Sequence, residues 1–100
     1  MRLIARSTLV AFWERHPETR PSLEHWIAVV TKAGWRNTGE VKAAFAKAKV
    51  LNAERVRFEV AGGNYRLIVA LRFDLQIAFV KFVGTHKQYD AVDALTVSQF

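Results

Sequence analysis

Cysteine is absent from this chain of 100 residues. Disulfide bonds, thiolate-ligated metal sites and cysteine nucleophiles are therefore excluded. Because nothing in the composition requires an oxidising compartment, we expect the protein to work in the cytoplasm.

Long apolar runs are also lacking. The longest reach about five residues, whereas a helix that spans a bilayer needs roughly 20. The segment Met1–Arg6 has no apolar stretch like that of a secretory signal. We therefore expect a soluble, unprocessed protein with no membrane partner. One small hydrophobic core suits a chain of this length, so residues 1–100 are predicted to form a single domain.

Acidic side chains are few relative to basic ones. Nine Asp and Glu residues stand against fifteen Lys and Arg, which gives a formal net charge of +6. Residues 32–57 alone carry seven of the basic side chains and two of the acidic ones. This imbalance predicts a polyanionic partner, and an acidic protein would satisfy it as well as RNA or DNA.

Proline is scarce, and both prolines lie in the first quarter of the chain. Pro17 and Pro21 bracket a polar stretch that is typical of a connection between two helices. Ser22 is the predicted N-cap of the second helix, and Gly34 is the residue at which it is predicted to end. The apolar residues at helical spacing are Leu9, Phe12 and Trp13 in the first helix and Leu23, Trp26, Ile27 and Val30 in the second.

Two further elements are predicted in the first half of the chain. The short apolar stretch Leu3–Ala5 predicts an edge strand. A third helix is predicted from near Thr38, with Lys42 and Lys49 on its outer face. Its inward residues would be Val41, Ala44, Phe45 and Ala48.

From residue 55 the apolar period changes from 3.6 to 2. Apolar and charged side chains alternate through residues 55–60, and turns are predicted at 62–64 and 74–75. The intervening strands would span residues 65–73 and 76–83, which makes an antiparallel meander of three strands. The predicted class is α+β, with the N-terminal helices packed on one face of a small, mostly antiparallel sheet.

The turns also predict which side chains share a face. Residue numbers should sum to 149 across the 74–75 turn and to 125 across the 61–64 turn. Phe82 then lies opposite Leu67 on the face that the helices cover, which we call the core face. The opposite face, called the second face, is predicted to carry Arg55, Arg57, Glu59, Arg66, Ile68, Ala70, Arg72, Ile77, Phe79, Lys81 and Val83. A basic, partly aromatic face suits single-stranded nucleic acid.

A candidate site lies where the last strand ends. Arg66 is predicted at that end of the sheet, and Lys81, His86, Lys87 and Tyr89 follow on the strand or just beyond it. Simpler interpretations are an exposed cross-strand pair of Arg66 with Glu59 and a hydrogen-bonded turn at His86. The sequence has no second histidine at ligand spacing, no paired carboxylates, no serine elbow and no glycine-rich phosphate loop. We therefore expect neither a metal nor a cofactor.

The segments that carry a resemblance to known proteins are Ser7–Leu9, Phe12–Pro17, Glu40–Lys42, Gly63–Val69 and, above all, Phe82–Asp90. With them, and across nearly its whole length, the sequence resembles the HigB toxin family of the RelE/ParE-like superfamily. Relatives often have one more residue between Asn64 and Tyr65.

The resemblance implies a RelE-like fold and a ribosome-dependent endoribonuclease that cuts translated mRNA and is neutralised by a HigA-type helix-turn-helix antitoxin. RNA supplies its own nucleophile, the 2′-OH, so the enzyme needs only a base, an acid and cations. The hypothetical roles are charge stabilisation by Arg66 and Lys81, acid–base catalysis by His86, and stacking or proton donation by Tyr89. The predicted RNA-binding residues are Arg55, Arg57, Arg72 and Lys87.

Two functions of other classes stay open. One is a superfamily toxin that inhibits a target such as DNA gyrase by protein contact and cleaves nothing. The other is a plain RNA-binding or ribosome-binding module. The cluster of His86, Lys87 and Tyr89 favours the nuclease, because a protein that only binds would not need it.

Overall fold

The computed structural model describes residues 1–100 as four α-helices and a five-stranded sheet. None of the helices combines the length and apolarity needed to cross a membrane. The elements in chain order are β1 (Arg2–Ile4), α1 (Arg6–Arg15), a 3-10 turn (Pro17–Thr19), α2 (Arg20–Lys32), α3 (Thr38–Ala44), β2 (Lys49–Val50), β3 (Arg55–Val60), a second 3-10 turn (Ala61–Gly63), β4 (Tyr65–Arg72), β5 (Ile77–Thr85) and α4 (His86–Asp90).

The strand order in the sheet is β1-β5-β4-β3-β2. β1 runs parallel to β5, and all the other neighbours are antiparallel. The predicted α+β class, the N-terminal edge strand and the three-strand meander are confirmed. The two-residue strand β2 was not predicted.

Helices α1 and α2 cover the core face. Leu9, Leu23 and Val30 are fully buried between helices and sheet, and the rings of Trp26 and Phe58 meet edge to face with centroids 5.3 Å apart. Burial of such apolar side chains is the main favourable contribution to folding. This core fixes the sheet, and through it the side chains on the second face.

Two predicted helix boundaries are wrong. α2 begins at Arg20, before the predicted cap Ser22, because Pro21 is tolerated in the first turn of a helix, where backbone N–H groups lack intrahelical partners. α3 ends at Ala44, so Lys49 lies in β2 rather than on a helix face.

The β3–β4 register agrees with the prediction. Glu59 faces Arg66 and Val60 faces Tyr65, so paired residue numbers sum to 125. The hairpin turn needs left-handed backbone, which Gly62 adopts with a φ of 70°.

The β4–β5 register contains a bulge that the sequence did not predict. Val69 faces Val80 as expected, but on the other side of the bulge Ile68 faces Phe82. Lys81 is the extra residue on the longer strand.

This bulge exchanges the faces of the two residues that follow it. Val83, predicted on the second face, faces Leu67 and belongs to the hydrophobic core. Phe82, predicted on the core face, lies beside Ile68 on the second face, where both are buried. The prediction was wrong for both residues.

Residues 91–100 follow α4 and cross the second face. The guanidinium of Arg55 donates hydrogen bonds to the carbonyl oxygens of Ala94 and Val97. Gln99 then pairs with the outer edge of β5 through two further hydrogen bonds. The chain itself therefore covers part of a face that the sequence predicted to be open.

Candidate active site

Arg66 in β4 lies at the centre of the candidate site. It faces Glu59 on β3 and Gly84 on β5, and only 8% of the residue is exposed. Its Nη1 donates hydrogen bonds to the carbonyl oxygens of Gly63 and Tyr65. The predicted cross-strand position opposite Glu59 is confirmed, but the two side chains form no ion pair, since Glu59 pairs with Arg57 instead. The predicted exposure is also wrong, because the turn before β4 closes over the guanidinium.

That turn accommodates Arg66 because residue 63 is glycine. Gly63 has a φ of 94°, a conformation that L side chains rarely adopt. A Cβ atom at this position would lie 2.8 Å from Glu59 Oε1 and 3.3 Å from Arg66 Nη1. Any larger residue would therefore displace the carboxylate and the guanidinium.

The bulge in β5 brings the ring of Phe82 to the second face, which also carries Lys81 and Phe79. Lys81 is half-buried, and its Nζ lies 5.6 Å from the centroid of the Phe79 ring. The next residue, Phe82, lies 6.3 Å from the ring of Tyr89, centroid to centroid. Tyr89 thus packs its ring against the second face.

Helix α4 is attached to the turn that holds Arg66. A capping box fixes its start, since Thr85 Oγ1 accepts from the Gln88 N–H and the Gln88 side chain accepts from the Thr85 N–H. The backbone N–H of His86 donates to the Asn64 carbonyl oxygen at 3.0 Å. Because Asn64 is two residues from Arg66, these bonds place His86 near the same end of the sheet.

The His86 side chain is 53% exposed, and its Nδ1 lies 3.0 Å from Asp90 Oδ2. This contact orients the ring and leaves Nε2 free to meet a ligand. Asp90 was not singled out from the sequence, although its spacing of four residues on a helix is a signal that identifies such a partner. Lys87 is exposed and forms no ion pair.

The structure thus brings Arg66, His86 and Tyr89 to one end of the sheet. Lys81 lies further from this end of the sheet, at the bulge of β5 opposite Ile68 and Val69.

The predicted RNA-binding arginines are more engaged than the sequence indicated. Arg55 is bonded to the C-terminal segment, as described above. Arg57 donates to the Lys47 carbonyl oxygen at 3.2 Å and to Glu59 Oε2 at 3.4 Å. Arg72, at the opposite end of β4, forms two hydrogen bonds with Asp74. These bonds raise the pKa of Arg72 and lower the pKa of Asp74.

Tyr65 connects this end of the sheet to the helical layer. Its hydroxyl donates to Glu18 Oε2 at 3.0 Å, and its ring contacts Phe12 and His16 at centroid distances of 5.8 and 5.5 Å. The pKa of Tyr65 is raised above the ordinary 10.0. Desolvation of the hydroxyl is the largest cause, and the hydrogen bond to Glu18 and the negative charge of Glu18 are the smaller ones. No group of three or more His, Asp or Glu side chains that could hold a metal ion is present.

Comparison with known proteins identifies the family. The profile described as HigB toxin, the RelE-like toxic component of a toxin-antitoxin system, matches residues 19–92. The chain belongs to the HigB toxin family. The family predicted from the sequence is confirmed, and the protein is the toxin of such a system, so an antitoxin is its partner.

Curated relatives cover almost the whole chain. The mRNA interferase toxin HigB of Escherichia coli (strain K12) is 28% identical over 98 residues, which are 95% of this chain and 93% of that protein. The mRNA interferase HigB of Shigella flexneri matches with the same identity and the same coverage.

Proposed function

We propose that this toxin is a ribosome-dependent mRNA endoribonuclease that works without a metal ion. The observation that carries the proposal is the convergence of Arg66, His86 and Tyr89 at one end of the sheet, through the hydrogen bond from His86 N–H to the Asn64 carbonyl oxygen. The mRNA interferase activity named for the relatives of Escherichia coli and Shigella flexneri supports it.

The reaction is an internal transfer at phosphorus. A base takes the proton of a ribose 2′-OH, and the O2′ atom attacks the adjacent phosphorus. The bond from phosphorus to O5′ breaks, and an acid protonates O5′. The products are a 2′,3′-cyclic phosphate and a 5′-hydroxyl, so no further reactant is needed.

The side chains have roles that match these steps. His86, held by Asp90 through Nδ1, would exchange a proton at Nε2. Arg66 and Lys81 would stabilise the charge on the pentacoordinate phosphorus. Tyr89 would stack on a base or donate a proton to O5′, and Lys87 would bind a flanking phosphate.

The same proposal covers partners and compartment. The toxin would act in the cytoplasm on mRNA in translating ribosomes, as a single domain formed by residues 1–100. A HigA-type antitoxin with a helix-turn-helix domain would neutralise it.

Mapping of mRNA 5′ ends after induction in cells, paired with a purified ribosome reaction, tests the proposal. We expect new ends within coding regions, and 5′-hydroxyl and 2′,3′-cyclic phosphate termini in the purified reaction. Cleavage should persist at EDTA concentrations that leave ribosomes intact. Direct formation of 5′-phosphate ends would contradict the mechanism, and growth arrest without new ends would favour a toxin that only binds.

A matched pair of variants isolates the imidazole. His86→Gln should lower the cleavage rate about 100-fold or more, the usual scale for loss of a general acid or base. His25→Gln removes an exposed imidazole on α2 and should cleave at the unchanged rate. Equal rates for the two variants would remove His86 from the mechanism.

A further inference from the structure

A groove lies directly beside the candidate active site and is not used by the mechanism above. It has a volume of about 360 Å³, and its walls are the chain after α3 (residues 44–48) and one edge of β3. Phe45 and Phe58 form an aromatic floor, with their rings edge to face at a centroid distance of 5.2 Å. Lys47 and Glu59 line the rim. The volume falls within the range of about 300–1,000 Å³ typical of small-ligand sites.

The groove is preformed. Lys42 Nζ donates to the carbonyl oxygens of Ala46 and Ala48 at 2.8 and 2.6 Å. Arg57 donates to the carbonyl oxygen of Lys47 at 3.2 Å. Because the wall is already fixed by these bonds, a ligand would bind with little ordering cost.

The edge of β3 exposes hydrogen-bonding groups in this groove. Leu51 donates its N–H to the Arg55 carbonyl oxygen, so alternate residues of β3 direct their backbone groups to the β2 side. β2 pairs as far as Arg57. Arg55, Arg57 and Glu59 thus direct their backbone N–H and C=O groups to the same side of β3. β2 ends before it reaches Glu59, so the backbone groups of Glu59 face the groove without a strand partner.

One oxygen of the Glu59 carboxylate accepts no hydrogen bond within the protein. Its Oε2 contacts Arg57 at 3.4 Å, while its Oε1 forms no hydrogen bond. A carboxylate has about four acceptor sites. The amino groups of adenine, cytosine and guanine are donors that this oxygen would accept, and uracil has no such group.

One cation at the rim of the groove fits a phosphate. Lys47 is exposed there and forms no ion pair. The nearby guanidinium groups of Arg57 and Arg66 already donate hydrogen bonds within the chain, and their Nε atoms are buried. An apolar floor beside a free ammonium group matches a nucleotide, whose flat base is apolar on its faces and whose phosphate is an anion.

We propose that this groove binds one nucleobase of the RNA next to the scissile phosphate and selects bases that carry an exocyclic amino group. The base stacks on Phe45, Glu59 accepts from the amino group, and the adjoining phosphate contacts Lys47. The proposal rests on the proposed function, because it gives the same site a substrate preference.

Binding of the four nucleoside 5′-monophosphates, followed by the backbone amide signals of the protein in solution NMR, tests the groove without any cleavage. We expect AMP, CMP and GMP to shift the signals of residues 45–48 and Glu59, and UMP to bind about tenfold more weakly. Glu59→Ala removes the acceptor and should bring the affinities of UMP and the other nucleotides together. No shift in these residues, or shifts confined to another groove, would overturn the proposal.

Phe45→Ala removes a ring that also packs on the core, so a second variant keeps the test independent of folding. Ala46→Phe adds a side chain to the wall of the groove and should abolish the shifts. Ala43→Phe adds the same ring to an exposed position of α3 that does not line the groove, and should leave them unchanged. Equal binding by the two phenylalanine variants would contradict the assignment.

Mapping of cleavage sites separates this inference from the proposed function. Nucleotide binding in the groove without mRNA cleavage would overturn the nuclease and keep the base site. Cleavage whose base preference is the same in wild type and Glu59→Ala, with no shifts in the groove, would keep the nuclease and overturn the base site.

Discussion

The guanidinium of Arg55 donates a hydrogen bond at 2.8 Å to the carbonyl oxygen of Val97, 42 residues further along the chain. A side chain predicted to bind RNA is thus used to hold the C-terminal segment across the second face. This segment includes the exposed Leu95 and Phe100, so few apolar contacts fix it. Arg55 is accordingly a main attachment point of residues 91–100.

Loss of this attachment should loosen the segment. We expect Arg55→Ala to increase amide hydrogen exchange for residues 94–99, while the strands β3 to β5 keep their protection. Arg72→Ala is the matched control, because Arg72 bonds to Asp74 and does not contact the segment. Unchanged exchange in Arg55→Ala would mean that the bonds of Gln99 to β5 suffice to hold the segment.

Salt dependence should identify the side chains that meet phosphates. Lys81 and Lys87 form no ion pairs in the structure, so they are freer to bind RNA than Arg55 or Arg72. We expect Lys81→Ala and Lys87→Ala each to reduce the slope of log affinity for ribosomes against log salt by roughly one unit. A slope that stays the same in both variants would assign these lysines to another role.

Arg66 and His86 should differ in their effect on stability. Arg66 is buried and donates to the carbonyl oxygens of Gly63 and Tyr65, so Arg66→Ala leaves these acceptors without this donor and should lower the free energy of unfolding by about 1–3 kcal/mol. His86→Gln changes a half-exposed side chain and should stay within about 0.5 kcal/mol of wild type. Urea denaturation of both variants measures this. Equal stabilities would be inconsistent with the burial of Arg66.

The core prediction concerns Leu67, which is fully buried between sheet and helices. Leu67→Ala should lower the free energy of unfolding by about 2–5 kcal/mol, through lost burial and the cavity that remains. Leu95→Ala makes the same change at a residue that is 51% exposed and should have little effect. Chemical denaturation monitored by tryptophan fluorescence compares the two, and similar losses would place Leu95 in the core instead.

The pKa of Tyr65 can be measured directly. In a Tyr89→Phe background Tyr65 is the one remaining tyrosine, and its phenolate absorbance should appear with a midpoint above 10.0. Because the folded state holds this proton more tightly than the unfolded state, its contribution to stability is present below the unfolded pKa and is lost as pH rises through the folded pKa. Glu18→Ala should lower the pKa of Tyr65 without restoring 10.0, since desolvation is the larger cause. A midpoint unaffected by Glu18→Ala would show that the hydrogen bond does not persist in solution.

The sequence predicted those elements in which apolar residues repeat at a regular spacing within one continuous stretch of chain. Val56, Phe58 and Val60 alternate with charged residues, and they form β3 as expected. β2 was missed because two residues, Lys49 and Val50, are too few to show a period. Its formation depends on pairing with β3, which is a tertiary effect.

The candidate site was predictable to a similar extent. The position of Arg66 near His86 followed from the hairpin register and the end of the last strand. The bonds of Arg55 to Ala94 and Val97 did not, because backbone carbonyl oxygens are present at every residue and carry no sequence signal. Burial of Arg66 depended on Gly63, whose role is visible only once the turn is built.

The single extra residue at Lys81 is absorbed by the bulge. Side chains along a strand alternate between faces, and Val80, Phe82 and Val83 alternate in step with the residues opposite them on β4. Deletion of Lys81 would therefore turn the bulge into a regular ladder and leave Phe82 and Val83 on their present faces. The capping box at Thr85 would still start α4 on the same side of the sheet. The fold thus tolerates the loss of this position, and what the deletion would remove is the cation.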